Sequence, residues 1–340
     1  MTVEAVFHET HDVSTPIRDL GLTIEGTPLA PVVDEFLGEV GKLGLAVRPR
    51  PYLSTEWGVP FGTVAIGIPF YLASPRLTAL HEERTAFVEG TDRADLLRYL
   101  RHEMGHVVNY AYRLYDRPEW VERFGPIGRP YREKYRPKPF SRKFVRHLPG
   151  WYAQKHPDED WAETFAVWMT PRFDWRREYA EWSVALEKLE YCDRLMNELR
   201  SEVPVVTDED LDDDVAMIGH SVHEIYGETE ASAGEPLPGL DGALRTLFDD
   251  DAESANDGGI ESRPAAALID KLARTLPAEV YRWTGHFPEH TRALLMQMKR
   301  RAEELGLVYP QTREERTERA AVVLVTALAM THVQTGSYLR

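Results

Sequence analysis

The chain has 340 residues, 43% of them hydrophobic and 28% charged, which suits a folded protein with a sizeable core and excludes disorder throughout. Cys192 is the only cysteine, so an intramolecular disulfide framework and a cysteine-rich metal site are both excluded, and any metal must be held by His and carboxylate. The net charge of −16 is local: residues 207–261 hold 17 Asp or Glu against Arg245 alone, whereas residues 129–146 hold eight Lys or Arg against Glu133, and the acidic total argues against general nucleic-acid binding.

The start of the chain has no basic, apolar signal-like stretch, and the longest apolar run, residues 320–330, is too short for the roughly 20 residues of a membrane span. It reads as a buried helix. Together with the cysteine usage, this places the chain in the cytoplasm as an expectation, with no membrane and no nucleic acid among its partners.

In chain order, Val33, Phe36, Leu37, Val40 and Leu43 recur at helical spacing before Gly44, which predicts an amphipathic helix over 31–45. Residues 61–70 are Gly-rich, partly β-branched and closed by Pro69, which predicts a strand near a sheet edge, suited to pairing with an extended peptide. A helix follows over 92–114, with Thr91 as candidate N-cap, and then a largely looped stretch to 150. Helices are expected over 158–169, ended by Pro171, and over 179–200. The spacing of Leu211, Val215, Ile218, Val222 and Ile225 predicts a further helix within the acidic segment. Residues 227–263 read as a linker with a short helix at 240–248, and everything beyond Pro264 as an all-helical unit. The predicted domains are 1–204, 205–263 and 264–340, the first an α+β domain.

The chemistry centres on His102-Glu103-Met104-Gly105-His106. On a helix the two imidazoles at i and i+4 share a face and can meet one cation, with the glutamate beside them as general base for an activated water. Leu96, Leu97, Leu100, Met104 and Val107 supply the apolar side that such a helix needs. A catalytic zinc site takes three protein ligands and keeps a position open. The downstream candidates for the third ligand are His147, His156, Glu159, Asp160 and Glu163. Glu163 is the best placed, within the aromatic helical stretch 160–168, where an uncompensated carboxylate is costly; His156 comes next. Asp160 is expected to accept a hydrogen bond from the outer nitrogen of a ligand histidine. Tyr152, His156 and Tyr131 are candidates to stabilise an oxyanion, Tyr152 first. His220, His223 and Glu224 read as surface residues. Trp161, Trp168, Trp175 and Trp182, seven apart, read as core packing.

The stretch from Arg101 to His106, the stretch from Tyr152 to Ala166, and the block Ile68-Pro69-Phe70-Tyr71-Leu72-Ala73-Ser74-Pro75-Arg76-Leu77 resemble a family of bacterial zinc-binding metallopeptidases over about residues 15–200. The resemblance implies a zincin-like domain of the gluzincin kind, with one Zn2+ per chain on His102, His106 and Glu163 from two helices, and a peptidase mechanism with Glu103 as base. The 56 residues between His106 and Glu163 (107–162) exceed the thermolysin spacing. Competing expectations are a zinc amidohydrolase on a non-peptide amide and a pseudoenzyme whose C-terminal helices form an interaction module. Opposite charges in 207–261 and 129–146 suggest an intramolecular contact between them.

Overall fold

The computed structural model describes residues 14–85, 87–131, 135–227, 237, 239–250 and 262–339. It divides into two compact units, one of residues 1–81 and 88–229, the other of residues 82–87 and 230–340. Each combines helices with a small sheet, an α+β composition dominated by helix.

In the first unit, α1 (Ala30–Leu43) buries Val33, Phe36 and Val40 and ends at Gly44 in the left-handed conformation (φ 74°), as its spacing predicts. Strands β1 (Arg50–Ser54) and β2 (Ala65–Pro69) pair in parallel, Arg50 opposite Ala65 and Ser54 opposite Pro69. β2 is the expected strand, shortened, and all five of its residues are buried. Gly58 bridges Gly67 from the other side in antiparallel sense. Gly67 suits the close approach there, since a Cβ would stand 3.0 Å from Ser54 Cβ and 3.3 Å from the Glu56 carbonyl. β1 escapes the sequence reading because Pro51 and Arg50 break its apolar pattern.

Helix α2 (Pro75–Thr85) is followed by α3 (Arg93–Ala111), the metal-motif helix. Its cap is Asp92 rather than Thr91: the Asp92 carboxylate accepts the Asp95 N–H (2.9 Å), while Asp95 reaches back to the N–H groups of Gly90 (2.9 Å) and Thr91 (3.3 Å). Three further helices, α4 (Pro118–Phe124), α5 (Pro157–Met169) and α6 (Trp175–Glu178), lead to α7 (Ser183–Leu199), which buries Cys192. Trp161 and Trp175 are buried, whereas Trp168 and Trp182 are only partly so.

The acidic stretch is not the continuous helix that its spacing predicts. Residues 208–213 lie against the two strands: the Asp208 carbonyl accepts from Val64 N (2.8 Å), the Asp212 carbonyl from the Tyr52 hydroxyl (2.7 Å), and Arg50 pairs with Glu209 (3.4 Å). A short turn at Val215–Met217 and α8 (Val222–Gly227) follow, with Val215 and Val222 entering the core. A run of Asp disfavours helix interior and competes for backbone donors, as Asp214 does by capping Ala216 N (3.0 Å). Residues 208–213 of the acidic segment are thus engaged by Arg50, Tyr52 and Val64. His220, His223 and Glu224 are exposed.

The second unit holds α9 (Leu240–Arg245), α10 (Ala265–Thr284), α11 (Pro288–Glu304) and α12 (Glu314–Thr335) around an apolar core that includes Leu268, Leu272, Leu295, Met298 and Val325. It is not all-helical: β3 (Asp249–Asp250), β4 (Ser262–Pro264) and β5 (Leu307–Pro310) form an antiparallel sheet in the order β3-β5-β4. Of the expected linker, residues 228–236, 238 and 251–261 lie outside the described residues. Among the described residues, no helix is long and apolar enough to cross a membrane.

Candidate metal centre

The site forms where α3 crosses α5. Gly105 makes the crossing possible: a Cβ there would stand 2.6 Å from Ala162 Cα and 3.0 Å from the Ala162 carbonyl, so the two backbones are already at the limit of approach. Trp161 Nε1 donates to the Gly105 carbonyl (2.8 Å) and fixes the rotation of one helix against the other. His102 and His106, one turn apart on α3, thereby face Glu159 and Glu163, one turn apart on α5. α5 starts sharply because His156 caps it, its Nδ1 accepting the Asp158 N–H (3.2 Å), with Pro157 at the first helical position.

The inner nitrogens and one carboxylate oxygen form a nearly equilateral triangle. His102 Nε2 is 3.0 Å from Glu159 Oε2, His106 Nε2 is 3.3 Å from the same oxygen, and the two Nε2 atoms are 3.2 Å apart. The edge of a tetrahedron with bonds of about 2.0–2.1 Å to nitrogen or oxygen is about 3.3–3.4 Å, so one face of such a tetrahedron is already laid out. These three buried side chains are positioned to hold a metal ion.

The third corner is Glu159, not Glu163, on which the sequence reading settled. Glu163 Oε1 sits behind His102 at its outer nitrogen, Nδ1 (2.9 Å), and the same carboxylate accepts the backbone N–H groups of His147 (3.0 Å) and Leu148 (3.0 Å). It thus orients a ligand rather than serving as one, the role expected of Asp160. Asp160 turns away from the imidazoles to Lys188 on α7, and burial lifts its carboxyl to about 7 in spite of that ammonium. The reason is angular: 159 and 163, four apart on α5, both turn toward the imidazoles of α3, and 160 projects about 100° round the helix from 159.

Asp158 serves His106, unanticipated from the sequence. Its Oδ2 lies 3.1 Å from His106 Nδ1, without hydrogen-bond alignment, and the carboxylate also accepts from the Tyr110 hydroxyl and from Asn109 Nδ2 (2.7 Å). Its position in the first turn of α5, beside the His156 cap, is the sequence signal that could have found it. His156 itself is committed to the cap and, through Nε2, to the Arg129 carbonyl (2.8 Å).

Four buried acidic side chains, Glu103, Asp158, Glu159 and Glu163, therefore surround two imidazoles. Burial, the largest influence on His102, disfavours its cation, but the carboxylates of Glu159 and Glu163 outweigh it and carry the metal-free imidazole up to about 9. Asp158 and Glu159 do the same for His106. For Glu103, burial raises the carboxyl pKa, against the pull of the two histidines. So much buried negative charge is expensive without a cation among it. The donor set and its charge fit a divalent ion.

A cleft of about 310 Å³ opens over the triangle, and Glu103, Tyr131 and Tyr152 line it together with His102, His106 and Glu159. Tyr131 donates to Glu159 Oε1 (2.6 Å), and its hydroxyl is 3.5 Å from that of Tyr152. Burial, then the charge of Glu159, holds the Tyr152 phenol well above its ordinary range, so it remains a donor. Trp57, Gly58, Val59 and Phe61, beside β2, form another wall. No family model matches the chain, and no curated protein or solved structure is significantly similar to it.

Proposed function

We propose that this protein is a zinc-dependent peptidase with a zincin-like first unit of the gluzincin kind, binding one Zn2+ through His102, His106 and Glu159. The observation that carries the reading is the buried triangle of these three side chains with Glu103 beside it on the same cleft. Two imidazoles and a carboxylate are a donor set for catalytic zinc. A zinc ion there supplies Lewis acidity, lowering the pKa of water toward about 7 and polarising a substrate carbonyl.

The side chains of the chain itself account for the proton traffic. Glu103 removes the proton of the attacking water and later delivers it to the leaving amine; its burial, which raises its pKa, suits a group that must both accept and return a proton. Tyr152, kept protonated, donates to the oxyanion as it develops, and Tyr131 holds Glu159 by its outer oxygen. Glu163 and Asp158 hold the two imidazoles from behind. The single buried Cys192 agrees with a cytoplasmic setting.

Metal analysis of the purified chain, followed by digestion of a proteome-derived peptide library, tests the reading. The expected result is about one zinc per chain and cleavage abolished in Glu103→Gln. A chain that stays metal-free when zinc is supplied sinks it; a zinc-loaded chain that hydrolyses small amides but no peptide moves it to an amidohydrolase.

A further inference from the structure

About half of the described arginines of the first unit meet a carboxylate. Arg93 pairs with Glu35, Arg101 with Glu39, Arg117 with Glu202 and Arg176 with Asp193. The basic stretch beside the cleft does not follow this pattern. Arg129, Arg136 and Lys138 are exposed, and among the described residues none of them has a carboxylate at ion-pair distance.

The backbone from which these cations project is held against cleft-lining elements. The Arg129 carbonyl accepts from His156, which lines the cleft, and Arg129 lies between two further lining residues, Ile127 and Tyr131. The main chain of Lys138 is bound from both sides by the Gln154 amide, its N–H donating to Oε1 (2.8 Å) and its carbonyl accepting from Nε2 (3.0 Å), two residues from Tyr152. Tyr135, next to Arg136, donates to the Gly150 carbonyl (2.7 Å). The backbone that carries Arg129, Arg136 and Lys138 is thus tied to residues of, or next to, one wall of the cleft.

We infer that this wall is a substrate-binding rim for acidic polypeptide, so that the cleft selects peptides carrying Asp or Glu beside the scissile bond; the inference rests on the peptidase reading above. Charges separated by more than a Debye length of about 8 Å are largely screened, so a short acidic segment seated on the rim feels the local cations and not the total charge. The acidic residues 208–213 of this chain are engaged elsewhere, by Arg50, Tyr52 and Val64.

The test uses the full zinc-loaded chain and two fluorogenic peptides that differ only in Asp and Glu, against Asn and Gln, at the flanking positions. The expected ratio of kcat/KM, acidic over neutral, is about tenfold at low ionic strength, shrinking toward one near about 0.5 M salt. The triple variant Arg129→Ser, Arg136→Ser, Lys138→Ser, its fold checked by retained zinc, should bring the ratio close to one. Fluorescence anisotropy of both peptides on Glu103→Gln repeats the comparison without turnover. Equal kcat/KM or equal binding of the two peptides overturns the inference, as does a ratio that the triple variant leaves in place. A gain in the triple variant toward both peptides also overturns it, by assigning the rim to a segment of the chain itself, and so does tighter binding of a single-stranded oligonucleotide of equal charge. If neither peptide is cut but the acidic one alone binds, the peptidase reading fails and the rim stands.

Discussion

The two units bury their principal helices by opposite means. Where α10, α11 and α12 meet, the buried contacts are mainly Leu, Ile, Val, Met and Ala, held by removal of apolar surface from water. Where α3 meets α5, the space beside Gly105 and Ala162 is occupied by two imidazoles and three carboxylates, each costly to dehydrate. The contrast teaches that the first unit carries at its central crossing a buried ionisable cluster positioned to hold a metal ion.

The largest effect expected is on turnover. Glu103→Gln should retain zinc near one per chain and lose about 10²–10⁴ in kcat, because it removes only proton transfer. Peptide hydrolysis within a few-fold of wild type would break the assignment of Glu103 as base.

Metal content sharpens the comparison within α5. Glu159→Ala should release the metal, whereas Glu163→Ala, which removes only the support behind His102, should weaken binding by about 10–100-fold. The reverse order, in a competition titration with a chromophoric chelator, would restore Glu163 as the ligand.

Packing changes separate the two units. Leu295→Ala, at a fully buried position of the second unit, should cost about 2–5 kcal/mol there and leave zinc content unaltered. Gly105→Ala should cost about 1–3 kcal/mol by forcing α3 and α5 apart, and it should reduce zinc affinity as well. Chemical denaturation read alongside metal content distinguishes them; intact zinc affinity in Gly105→Ala would show that the crossing does not set the triangle.

The smallest effects are in pH, and their signs oppose. In metal-free protein His102 has its pKa raised from 6.5 to about 9, so the stability that its protonation contributes is fully present below 6.5 and is lost as pH rises from 6.5 through 9. His286 in the second unit is buried, bonded to Thr291 (2.7 Å) and the Tyr338 hydroxyl (3.0 Å), and faces His290 and His332. Burial first, and those neighbours next, lower its pKa to about 3; its contribution is full above 6.5 and fades as pH falls from there toward 3. Melting of the chelated chain should then show one transition weakened by alkali and another by acid. Zinc should remove the alkaline loss, and an alkaline loss that persists in the zinc-loaded chain would remove His102 as its cause.

Local pattern determined a good part of this protein. The i,i+4 histidines with Glu103, the amphipathic faces of α1 and α3, the Gly44 stop, the strand before Pro69 and the α5 helix are properties of residues three or four apart, and the chain realises them. What pattern leaves open is which face of α5 turns to α3. Glu159, Asp160 and Glu163 are equivalent as carboxylates near an aromatic run, and only the close approach of Gly105 to Ala162, locked by Trp161, decides that Glu159 meets the imidazoles, Glu163 stands behind His102 and Asp160 meets Lys188. The course of 208–213 was undecided for the same reason. Its apolar spacing favours a helix, but the hydrogen bonds offered by Tyr52 and Val64, more than 140 residues earlier in the chain, give its backbone a different set of partners.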